Sequence, residues 1–69
     1  MLAIQCSIIA QLDDKGFPFL AYSLEYENLT YRESIRYINS IAWDLSTSEY
    51  EFLVNAINDF FKPTNQPTN

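Results

Sequence analysis

Two short stretches in the second half of this chain constrain its fold more than any other feature: Thr30-Tyr31-Arg32-Glu33 and Ser46-Thr47-Ser48-Glu49. Each is a capping box. The leading hydroxyl accepts a hydrogen bond from the backbone N–H three residues on, and the glutamate reaches back to the N–H of the cap. Such reciprocal bonds satisfy donors that a helix start otherwise leaves open, so helices are expected to begin at Tyr31 and Thr47. Behind the first box, Ile35, Ile38, Ala42 and Leu45 recur at helical spacing and predict a helix ending near Asp44. Behind the second, Tyr50, Leu53, Val54, Ile57 and Phe61 line one face, and Pro63 stops the helix. Leu45 and Tyr50 flank the second cap as a hydrophobic staple. A short link between the two helices predicts an antiparallel pair.

The first half reads differently. From Ala3 to Leu12, Ile4, Cys6, Ile8, Ala10 and Leu12 alternate with Gln5, Ser7 and Gln11, with Ile9 as the exception. That is the period of a half-buried strand. Asp13-Asp14-Lys15-Gly16 follows as a turn, with the single glycine where positive φ is wanted. Leu20, Tyr22, Leu24 and Tyr26 then alternate as a second strand, with Pro18 near its start, where an edge tolerates a missing donor. The expected fold is therefore α+β: an antiparallel β-hairpin followed by two antiparallel helices. Residues 1–62 form one ββαα domain, and 63–69 a flexible polar tail. In outline, the Asp13–Gly16 turn ahead of a capped helix resembles the antitoxin half of certain toxin–antitoxin pairs. The third strand of that family is missing, and no residue role is carried across.

A lone hairpin has two open edges and is marginal in water. With no His and one Cys in 69 residues, neither a disulfide nor an ordinary metal site can reinforce it. Pairing of edge strands between two copies would complete a four-stranded sheet, so a homodimer, or docking on a larger protein, is expected. The same shortage bears on chemistry. Ser–His and Cys–His nucleophile pairs are ruled out, and no spacing of carboxylates suggests an acid–base site. The chain is expected to be no enzyme and to need no cofactor or metal. Cys6, in the inward row of the first strand, is expected to be a buried, inert thiol.

Nine Asp and Glu against four Lys and Arg give a net charge of −5. Phosphate backbones and anionic membranes are disfavoured partners, since both require clustered bases. A basic protein surface is the natural complement. Met1-Leu2-Ala3-Ile4 lacks the basic start of a signal peptide, and no apolar run approaches the ~20 residues of a membrane span. A cytoplasmic location is expected.

Three groups of residues stand out as candidate contacts. Arg32, Arg36, Asn39 and Trp43 fall within about 60° of one another on a helical wheel, and Trp and Arg are favoured interface anchors. Phe52 and Phe60 widen the apolar arc of the second helix sideways, towards either the rest of the chain or a partner. Glu25 and Glu27 share the outer face of the second strand, as a solvated edge or a negative surface for a basic groove. The tyrosines are read mostly as core-facing. The function these features imply is that of a small acidic cytoplasmic protein-binding inhibitor or neutraliser. It would block a larger, basic nucleic-acid-handling protein, in the manner of a phage anti-CRISPR or host-enzyme inhibitor, an immunity protein or an antitoxin. The alternative is a non-catalytic homodimeric assembly module.

Overall fold

Ile4, Ile8 and Leu12 lie four positions apart, a spacing that suits an alternating strand and a helix equally well. The computed structural model, which describes residues 3–62, shows a helix. α1 spans Ala3–Asp14, α2 Pro18–Tyr26, α3 Tyr31–Ile41 and α4 Thr47–Phe60, with a 3₁₀ turn at Ala42–Asp44 after α3. There is no strand among the described residues, so the expected β-hairpin and the α+β class are both overturned. The domain is all-helical. The open sheet edges that motivated a four-stranded dimer do not exist, and the expected polar tail, 63–69, lies outside the described residues.

Burial explains why α1 winds. Ile8 and Leu12 are buried and Gln5 and Ile9 half-buried, the i, i+3, i+4, i+7 set of one helical face. Cys6 and Ala10, inward on a strand, are exposed here. The expectation of a buried thiol is therefore corrected: Cys6 lies on the outer side of α1. Alanine, leucine and glutamine in this segment also favour the helix intrinsically.

The Asp13–Gly16 turn is a helix stop. Gly16 takes φ +95°, the N–H of Phe17 donates to Leu12 O at 2.8 Å, and that of Gly16 to Asp13 O at 3.2 Å. These are the two bonds of a Schellman motif, with glycine at the left-handed position and apolar Phe17 following it. Pro18 then opens α2 at its first turn, where no N–H partner is needed. Phe17, Leu20, Ala21 and Leu24 face inward from this helix. Asn28, at φ +54°, turns the chain out of α2.

Both capping boxes form. Thr30 Oγ1 accepts from Glu33 N at 3.1 Å while Glu33 Oε1 accepts from Thr30 N at 3.0 Å. Ser46 and Glu49 repeat the exchange at 3.1 and 2.9 Å. The helices they start run antiparallel, as two tyrosine bridges show. Tyr31 at the head of α3 donates to Asn58 Oδ1 near the foot of α4 at 2.8 Å, and Tyr50 near the head of α4 donates to Asn39 Oδ1 at 2.9 Å.

α1 packs against both α2 and α4, and α4 packs against α3. The rings of Phe19 and Tyr37, 5.7 Å apart, bring α2 to α3. Leu12, Leu20, Ile38, Leu53 and Ile57 are completely enclosed, so every helix contributes to one core. At its margin Gln5 Nε2 donates to Phe60 O at 3.1 Å, satisfying a carbonyl that the end of α4 leaves open. Two serines are also enclosed, each with a partner: Ser23 Oγ donates to Glu27 Oε1 at 3.3 Å and Ser34 Oγ to Thr30 O at 2.8 Å.

Candidate functional site

The outer face of α2 is aromatic. Its buried positions, Leu20, Ala21, Ser23 and Leu24, occupy one side of the helix. At ~100° per residue Tyr22 points directly away from that side, with Tyr26 and Phe19 within about 60° of it on one flank and Glu25 about 60° away on the other. Phe19, Tyr22 and Tyr26 are 63%, 54% and 65% exposed. Tyr22 and Tyr26 stand one turn apart with ring centroids at 5.0 Å, tilted by 47°. Phe19 reaches Tyr37 and so joins the stripe to α3.

Tyr22 and Tyr26 were expected in the core as strand residues, and the helix turns them to the surface. Their signal was present in the sequence as the i, i+3, i+7 spacing of Phe19, Tyr22 and Tyr26, which is legible once Pro18 is read as a helix opener. Glu25 and Glu27 are on the exterior, as expected, but Glu25 stands on α2 and Glu27 just past its end rather than on a strand. Glu27 occupies the C-cap position and accepts the Ser23 hydroxyl. Between Lys15 and Arg32 the chain carries no basic residue.

The stripe expected on the first capped helix is split between two elements. Arg32, Arg36 and Asn39 lie exposed on α3, whereas Trp43 belongs to the 3₁₀ turn and is 84% exposed. Asn39 is committed to Tyr50. Among the described residues, neither arginine makes an ion pair within 4.0 Å. The Thr30 backbone N–H and hydroxyl, with Arg36 nearby, hold the Glu33 carboxyl below the usual glutamate range.

The two phenylalanines of α4 have separate fates. Phe60 is buried at 6% exposure and belongs to the core. Phe52 is half-buried and lines a groove of about 530 Å³ between α1 and α4. Ile4, Ile8 and Ala56 continue its apolar wall, Gln5 and Asn55 supply amides, and the Asp59–Lys62 pair at 3.7 Å closes one end. Lys15 stands 5.6 Å from the Phe52 ring centroid. Among the described residues no three His, Cys, Asp or Glu side chains converge as a metal site would require, and no helix is long and apolar enough to cross a membrane.

Comparison with protein-family models, curated proteins and solved structures finds no match to this chain.

Proposed function

We propose that this chain is a small acidic binding protein that works by covering a basic surface of a larger cytoplasmic protein. The observation that carries this reading is electrostatic. All nine carboxylates are exposed, and among the described residues only Asp59 has a cation within 4.0 Å. Apart from Glu33 and Glu49, which cap helices, such a surface gains little from folding, and the whole is suited to steering towards a cationic partner. Proteins that handle nucleic acids present basic surfaces of this kind, because phosphate contacts require clustered Lys and Arg. The activity is therefore steric: an inhibitor or neutraliser that occupies a surface otherwise used by an anionic ligand.

The test is affinity capture with the tagged full-length chain, followed by a salt titration of the recovered complex and an assay of the partner's own activity. A basic nucleic-acid-handling protein, bound more weakly as salt rises and inhibited in proportion to its occupancy, supports the reading. A salt-insensitive homodimer with no basic partner refutes it and favours an assembly module.

A further inference from the structure

The acidic surface is not uniform, and one part of it differs in kind. The other paired carboxylates sit at helix ends, Asp13 and Asp14 at the end of α1 and Glu49 and Glu51 in the first turns of α4, where Glu49 is engaged in its capping box and shares a depression with Lys15. On α2 the exposed Glu25 lies about 60° round the helix from the exposed ring of Tyr22, with Tyr26 on the other flank. The helix itself carries no basic residue, and Lys15, in the loop before it, is drawn to the Phe52 ring of α4. α3 meets this face only at its Phe19 flank, through Tyr37, and Tyr22 and Tyr26 stay exposed.

We propose that the outer face of α2 is the docking site for an arginine-bearing segment of the basic partner, with guanidinium groups seated on Tyr22 and Tyr26 and one of them paired with Glu25. The assignment rests on the acidic-binder reading above and names the chemistry it recognises. Three features select arginine. The guanidinium is planar, weakly hydrated and stacks on aromatic faces, which an ammonium does less well. A carboxylate flanking the rings can take it as a two-pronged hydrogen-bonded pair. Tyr22 and Tyr26 stand about 6 Å apart along the helix axis, matching two arginines one turn apart on a partner helix. The same electrostatics disfavour nucleic acid here, since phosphates would approach Glu25 and Glu27 with no base to receive them.

The experiment titrates the labelled full-length chain by NMR with two helical Ala-based peptides, one bearing Arg at i and i+4 and the other Lys at the same positions. The expected result is that the Arg peptide shifts the Tyr22, Glu25 and Tyr26 resonances and binds more tightly than the Lys peptide. The Tyr22→Ala/Tyr26→Ala double variant should weaken that binding at least about tenfold. Both side chains are exposed, so an unchanged thermal melt certifies the variant's fold. Equal affinity for the two peptides overturns the stacking assignment. Binding that maps to Asp13 and Asp14 or to Glu49 and Glu51 overturns the site but leaves the acidic-binder reading standing. No binding of either peptide at low salt overturns both. Shifts on α2 that follow protein concentration without peptide also overturn it, and give the face to a second copy.

Discussion

Leu12 and Cys6 would share the buried row of an alternating strand, whereas α1 encloses Leu12 completely and leaves Cys6 exposed. Substituting each therefore measures the fold itself. Leu12→Ala removes buried methyl groups and leaves a cavity, at a cost of about 2–5 kcal/mol. A domain of 69 residues has on the order of 3–10 kcal/mol in total at ~0.05–0.15 kcal/mol per residue. The single substitution thus removes a large share of the stability. At ~4–8 °C per kcal/mol, a loss of ~3 kcal/mol lowers Tm by about 12–24 °C. Cys6→Ser, at an exposed position, should change stability by no more than ~0.5 kcal/mol. Ile9→Ala, half-buried on the helix but outward on the strand, should fall between the two. Thermal and urea melts followed by far-UV circular dichroism provide the measurement. A Cys6→Ser variant as damaged as Leu12→Ala, together with a neutral Ile9→Ala, would refute the helical assignment.

Gly16→Ala should cost about 1–2 kcal/mol in the same melts: nothing lies within 4 Å of an added Cβ, so the penalty comes from φ +95° alone. Asp13 and Asp14 place two negative charges, and no base, in the last turn of α1, against the helix dipole. Asp14→Lys should accordingly stabilise the chain by ~0.3–1 kcal/mol at low salt, with the gain shrinking as salt is added. Glu33, its folded pKa lowered by the Thr30 bonds, contributes stability that is fully present above the usual glutamate pKa and lost as pH falls through the lower folded value. Urea melts across that acid range should show a limb that Glu33→Gln flattens. A limb unchanged in the variant would mean the capping carboxylate is not engaged.

The second half of the molecule was legible because its signals were local. A capping box needs only four consecutive residues, and both form at Thr30–Glu33 and Ser46–Glu49. The inward positions Ile38, Leu53 and Ile57 followed from spacing alone and are fully enclosed. The first half gave signals that two structures satisfy. Pro18 suits both an edge strand and the first turn of a helix. Gly16 suits both a hairpin turn and a helix stop. What favours helices over strands there is Ile9, which breaks the alternation in α1, and the i, i+3, i+7 spacing of Phe19, Tyr22 and Tyr26 in α2.

The candidate site inherited that ambiguity. Positions 20 and 22 share a face on a strand but lie about 200° apart on a helix, so the choice of period put Tyr22 and Tyr26 either inside or outside. Phe60 depended on it too. Its sideways position on α4 could be read as a free surface until α1 proved to be a helix packed on that side, with Gln5 bound to the Phe60 carbonyl.

Charge, the absence of histidine, the two helix starts and the line of apolar residues behind each are properties of the chain as written, because they depend on neighbours a few bonds away. Whether Ala3–Asp14 and Pro18–Tyr26 wind or extend depends on what stands opposite them. As helices these segments bury Ile8, Leu12, Leu20 and Leu24 in the common core, with α1 packed on both α2 and α4, while the backbone of each helix interior bonds within itself. A two-stranded sheet would have left two edges bare. That difference turned a row of presumed core tyrosines into the most exposed aromatic face of α2.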